Sequence, residues 1–107
     1  MLELWAAIDL LSGSVVTLKQ GKEGMKTTWR EKPLDVAARW EREGADGLHI
    51  VDLDAAFGKG SNRETILSIL EAAKIPVEVG GGVRSRQAVD AWFESGASRV
   101  ILGTLAY

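Results

Sequence analysis

Four short apolar runs in this chain each end in residues that could do chemistry. Leu4-Trp5-Ala6-Ala7-Ile8 is closed by Asp9. Leu48-His49-Ile50-Val51 carries the only histidine and is closed by Asp52-Leu53-Asp54. Val77-Glu78-Val79 leads into Gly80-Gly81-Gly82-Val83-Arg84-Ser85, and Arg99-Val100-Ile101-Leu102 leads into Gly103-Thr104. If the runs are parallel strands, these residues converge, because parallel α/β folds place ligand sites at the carboxyl ends of their strands.

The glycines suit an anion. Without Cβ atoms, their N–H groups can approach a phosphate closely. They precede a segment that reads as a helix, whose first turn carries partial positive charge. Gly103-Thr104 would add further N–H groups and a hydroxyl beside them. The competing reading is a tight turn with no ligand. Asp9 has two readings as well. A carboxylate ending a buried strand is costly unless paired, hydrated or used; it either transfers a proton or bonds backbone amides of a loop. His49 is a satisfied core residue or lines the same opening. Asp52 and Asp54 alone lack the further ligands a metal requires. The four tryptophans read as packing residues, with Trp29, in a polar stretch, the one best placed to touch a ligand.

Positioning these groups takes alternating strands and helices. Val15-Val16-Thr17-Leu18-Lys19 follows the turn signal Ser12-Gly13-Ser14 as a second short strand. Gly21 to Lys32 reads as a long polar loop. Pro33 suits a first helical turn, and Gly44 suits the left-handed cap that ends that helix. Ser61 and Glu64 have capping-box spacing ahead of Ile66, Leu67, Ile69, Leu70 and Ala73. Ser85 caps a third helix that buries Ala88, Val89, Trp92 and Phe93 and stops at Gly96. Apart from the Val15–Lys19 strand, the order is strand, helix, strand, helix, strand, helix, strand, which predicts a parallel sheet. Trp40-x-x-x-Gly44-Ala45 recurs as Trp92-x-x-x-Gly96-Ala97, suggesting a repeated βα pair.

Composition narrows the function classes. The chain has 107 residues, 46% of them hydrophobic and 26% charged, a globular balance for one small domain. A net charge of −2 without a basic stripe argues against nucleic acid. The absence of cysteine excludes disulfides and thiol catalysis. No signal peptide and no membrane-length apolar run is read, so a cytoplasmic location is expected and no membrane partner.

Ala7-Ile8-Asp9-Leu10, Gly21, His49-Ile50-Val51-Asp52-Leu53-Asp54, Val79-Gly80-Gly81-Gly82-Val83-Arg84-Ser85 and Gly103-Thr104, in this order and spacing, resemble the phosphoribosylformimino-5-aminoimidazole carboxamide ribotide isomerases of histidine biosynthesis. The likeness spans essentially the whole chain but only the first half of such an enzyme. It implies an α/β fold, a parallel (β/α) half-barrel comprising the first four strands of a TIM (β/α)8 barrel, with residues 1–107 as one unit ending after the fourth strand. A complete barrel takes roughly 250 residues.

The resemblance also implies an Amadori rearrangement of an aminoaldose to an aminoketose. The substrate is a ribotide with a phosphate at each end, and neither cofactor nor metal is needed. Asp9 matches the general base that moves the ribose C2 proton. Gly81, Gly82, Gly103 and Thr104 match one of two phosphate sites, and His49 and Arg84 match positions near the substrate. Thr17 stands where the family commonly has arginine, leaving Lys19 as the nearby cation. The family's general acid and second phosphate site lie beyond this stretch, so the isolated chain is expected to be inactive. The alternatives are a self-associating, phosphate-binding half-barrel module that pairs with a second half, a bifunctional isomerase that also takes phosphoribosyl anthranilate, and the related imidazole glycerol phosphate synthase cyclase.

Overall fold

A computed structural model describes residues 2–21 and 24–102, with side chains left aside for 17–29. The chain forms β1 (Trp5–Leu11), β2 (Ser14–Gly21), β3 (Gly24–Glu31), α1 (Pro33–Arg42), β4 (Gly47–Asp52), α2 (Leu53–Ala56), α3 (Arg63–Ala72), β5 (Val77–Gly80), α4 (Arg86–Glu94) and β6 (Arg99–Val100). The strands make one unclosed sheet of six in the order β3-β2-β1-β4-β5-β6. β1, β4, β5 and β6 are parallel to one another, as the alternation of strands and helices predicts.

The other two strands amend the sequence reading. β1 does not stop at Asp9. It continues to Leu11 and turns through Ser12-Gly13 into antiparallel β2, and β2 pairs with β3. Ser12 and Gly13 both have positive φ (51° and 81°), the requirement of a two-residue type I′ hairpin. The stretch Gly21–Lys32, expected to be a loop, is therefore mostly strand. β3 lies at the sheet edge, where a strand need not be apolar, and its Thr27, Thr28 and Trp29 favour extended backbone. Thr17 pairs with Trp29 and Leu18 with Thr27, so the ladder carries a bulge. At the end of β3, Glu31 takes both guanidinium nitrogens of Arg39 on α1, at 2.9 and 3.1 Å. The hydrogen bond first, and the opposite charge second, hold the Arg39 guanidinium above its ordinary range.

The helices cover one face of the parallel strands. Ala6, Ile8, Leu10, Leu48, Ile50, Val77 and Val79 pack there against Val36 and Ala37 of α1, Ile66, Ile69 and Leu70 of α3, and Trp92 of α4. Ile8, Leu10, Leu48, Ile50, Ile66 and Ile69 are each 0% exposed, and full burial of such a side chain is worth about 1.5–3 kcal/mol. The alternate residues Ala7, Asp9, His49, Val51 and Glu78 face the other side and stay half-buried or exposed. The sheet thus has a helix-covered face and an open face.

The Trp-Gly-Ala repeat corresponds to two copies of one helix ending. The Ala45 amide donates to the Trp40 carbonyl and the Gly44 amide to that of Glu41. The Ala97 amide donates to Trp92 and the Gly96 amide to Phe93 in the same pattern. These are the two bonds of a Schellman cap, and Gly44 and Gly96 supply its left-handed residue (φ 91° and 108°). One residue later, Asp46 and Ser98 donate to Leu4 and Val77, which starts each following strand beside its neighbour.

Candidate functional site

Asp9, Val51 and Gly80 stand in one row across β1, β4 and β5. With neighbouring strands about 4.8 Å apart, the Cα atoms of Asp9 and Gly80 are about 10 Å apart on the same face. Asp9 is half-buried, and its carboxylate has no hydrogen-bond partner among the described residues. His49 lies one row lower, between Ala7 and Glu78. Asp9 and the loop after β5 therefore share one end and one face of the sheet, and His49 lies on that face about 7 Å nearer its middle.

The loop that begins at Gly81 is shaped by contacts within the protein. Gly81 (φ 100°) lies against the backbone of Asp52, where a Cβ atom would come within 2.7 Å of the amide nitrogen. Gly82 (φ 69°) lies against Ala55, and a Cβ would approach its carbonyl oxygen to 2.7 Å. Glycine at both positions is required for β5 to end beside α2. After Val83 comes exposed Arg84, and Ser85 then caps α4 by accepting from the Ala88 amide at 3.1 Å. Arg84, Ser85, Arg86, Val89, Asp90, Phe93 and Leu102 line an open cleft of ≈ 520 Å³ along α4. Gly103 and Thr104 lie outside the described residues. The backbone of Lys19 belongs to β2, paired with Lys26; the side chains of Lys19 and Trp29 lie outside the description.

Asp52 and Asp54 are committed to holding loops. Asp52 is 3% exposed and caps α2, its side chain accepting from the Ala55 amide at 3.1 Å. It also accepts from the backbone and side-chain nitrogens of Asn62, both at 2.7 Å. Asp54 accepts from the Ser12 amide at 2.6 Å and from Asn62 Nδ2 at 2.7 Å. The Gly13 amide donates to Asn62 Oδ1 at 2.8 Å. Asn62 thereby ties the β1–β2 turn to the end of β4. This overturns the expected Ser61 capping box. Asn62 occupies the cap position of α3 without a side-chain cap bond, because its side chain is already engaged elsewhere.

Sequence reasoning missed Glu78 and Arg99. Glu78 is half-buried on the open face and takes His49 Nδ1 at 2.7 Å through one oxygen and Arg99 at 3.3 Å through the other. The Arg99 guanidinium also stacks on the Trp5 ring, 5.2 Å from its centroid. That ring lies over Gly47, where a Cβ would come within 2.7 Å of it. The available signal was the charged residue between Val77 and Val79, which alternation sends to the uncovered face. Asp9 is thus a carboxylate without a partner among the described residues, on the same face as a histidine already bound on one nitrogen and near a glycine turn leading to a helix start. Such a group can take up a proton.

Among known proteins, a 1-(5-phosphoribosyl)-5-((5-phosphoribosylamino)methylideneamino) imidazole-4-carboxamide isomerase from Cenarchaeum symbiosum (strain A) is 52% identical over 101 residues, 94% of this chain and 43% of the relative. Proteins of the same name from Frankia alni and Nitrosopumilus maritimus are 45% and 46% identical over 98% and 94% of this chain, and 42% of each relative. The chain spans about two fifths of the length of the curated relatives it matches. Residues 3–107 match the description of the histidine biosynthesis proteins, and the chain belongs to that family.

Proposed function

We propose that the chain is the N-terminal half of a (β/α)8-barrel isomerase, one domain over 1–107, that converts an aminoaldose ribotide with a phosphate at each end into an aminoketose. Asp9 is the general base. It takes the proton from ribose C2 while a general acid outside this stretch protonates the ring oxygen and opens the sugar; the resulting enolamine takes a proton at C1 as its C2 hydroxyl gives one up, leaving the ketone. The observation that carries the reading is the row Asp9, Val51, Gly80, which puts a carboxylate without a partner among the described residues on the face and end of the sheet where the glycine loop begins. The names of the relatives, with two phosphoribosyl groups in the substrate, support the same chemistry.

Gly81, Gly82 and Arg84, with Gly103 and Thr104, grip one phosphate in this reading. The loop they form leads into the N-terminus of α4 and Arg84 beside it is exposed, and a helix start and an arginine favour an anion. His49 faces the sugar and Lys19 supplies a nearby cation. No cofactor takes part. The location is cytoplasmic, and the partner of the open face is a second half-barrel, either another copy or the remainder of the barrel. Among the described residues the only other carboxylate on that face in β4 or β5 is Glu78, which His49 and Arg99 already engage. One proton-transfer group leaves the chain inactive alone.

The test is a graft. This chain replaces the corresponding N-terminal part of the Cenarchaeum symbiosum relative, and turnover of that relative's substrate is measured. The graft turns over, the chain alone does not, and Asp9→Asn lowers kcat by about 100-fold or more with little change in KM. Undiminished turnover in the Asp9→Asn graft ends the reading.

A further inference from the structure

We infer that Glu78 is a positioning residue for His49, fixing its ring as the Nδ1–H tautomer and leaving Nε2 as an acceptor for an O–H or N–H group of the substrate, not for a phosphate. The inference rests on the reading of the open face as the one that meets the sugar.

The geometry is direct. His49 and Glu78 are register partners on adjacent strands, and Nδ1 lies 2.7 Å from Oε1. A carboxylate oxygen in such a bond is an acceptor, so the hydrogen belongs to Nδ1. Once Nδ1 holds it, a neutral ring has its lone pair on Nε2. Nε2 makes no hydrogen bond to any described residue. The carboxylate is itself restrained from the far side. Glu78 and Arg99 are register partners, and Arg99 holds the second oxygen while resting on Trp5. Trp5, Arg99, Glu78 and His49 form a continuous line of contacts across all four parallel strands. The side chain of Glu78 is 15% exposed, and that of His49 32%, so the ring is packed on one side and open on the other.

The chemistry of the ligand follows. A lone pair beside a carboxylate repels an unprotonated phosphate oxygen and accepts from a hydroxyl or an amine. Glu78 therefore helps set which end of the substrate lies over β4: the sugar hydroxyls, with phosphate held at the loop after β5.

The single histidine makes the test simple, because every imidazole signal of the chain is His49. Long-range proton–nitrogen correlation on the 15N-histidine-labelled chain, at a pH where the ring is neutral, reads the tautomer. Nδ1 is expected to give the protonated-type signal and Nε2 the bare one. Glu78→Ala should reverse the majority tautomer to Nε2–H, the form favoured in water, and Arg99→Ala should leave it unchanged. Glu78→Met removes the acceptor at similar volume and serves if alanine unfolds the sheet. Inorganic phosphate, titrated at constant pH, should leave both ring nitrogens unmoved. A majority Nε2–H form in the unaltered chain, no change on Glu78 replacement, or a phosphate-dependent shift of Nε2 overturns the inference. A graft that never turns over while the tautomer reads Nδ1–H sinks the isomerase reading instead and leaves the pairing intact.

Discussion

Asn62 and Asp52 are joined twice, the backbone N–H of Asn62 donating to one carboxylate oxygen at 2.7 Å and its side-chain amide to the other at 2.7 Å. Both residues are buried, at 5% and 3% exposure. Asn62→Ala would strip Asp52 and Asp54 of a donor each and leave the Gly13 amide without its acceptor. A loss of about 2–4 kcal/mol is expected, read by urea unfolding. Asn62→Asp should be worse near neutral pH, since it sets a third carboxylate against two. Its sign with pH is fixed: like charges make the introduced group bind its proton more tightly folded than unfolded, so the deficit shrinks as pH falls. A deficit that grows on acidification would contradict this network.

The parallel strands, three long helices and the ends of the first and last of them were legible in the sequence because apolar period, Pro33 at the first turn, Ser85 as a cap, and Gly44 and Gly96 after the last turns all agree locally. β3 was not legible, since an edge strand needs no apolar alternation to be stable. α2 was hidden because four residues carry no helical period; its cap, Asp52, was read instead as a possible site carboxylate. The Asp9–Gly80 row follows from strand order, which sequence can suggest. The His49–Glu78 bond depends on register between residues 29 apart, which no local pattern encodes.

Glycine positions separate conformational cost from contact cost. Gly13 has φ 81° and nothing within 4 Å of an added Cβ, whereas Gly81 has φ 100° and meets the Asp52 backbone. Gly13→Ala should cost about 1 kcal/mol, the left-handed penalty alone. Gly81→Ala should cost about 3 kcal/mol or more, because backbone must also move. Thermal unfolding of the two variants decides it, and equal losses would mean that the loop after β5 is not pressed against β4.

The paired helix endings make a quantitative claim. Gly44 and Gly96 have similar φ, open surroundings and the same hydrogen bonds. Gly44→Ala and Gly96→Ala should each cost about 1 kcal/mol. Lying at the ends of different helices, they should add in the double variant to within about 0.5 kcal/mol. Strong non-additivity would show that the two βα units are coupled beyond their caps.

The open face predicts assembly. Parallel sheets are ordinarily covered on both faces, and here helices cover one. Ile101 and Leu102, 45% and 58% exposed, follow the edge strand β6. The chain should therefore associate with concentration, giving twice the chain mass by light scattering behind size exclusion. Val51 sits between Asp9 and Gly80 at the centre of that face and is only half-buried. Val51→Lys should leave the helix-covered core intact but shift the monomer–dimer midpoint upward by at least about tenfold, an effect of about 1.4 kcal/mol from a charge lodged in the contact. A wild-type chain that stays monomeric at every concentration removes another copy of the chain as the partner of this face, and a Val51→Lys chain that dimerises as well as wild type moves the contact off this face.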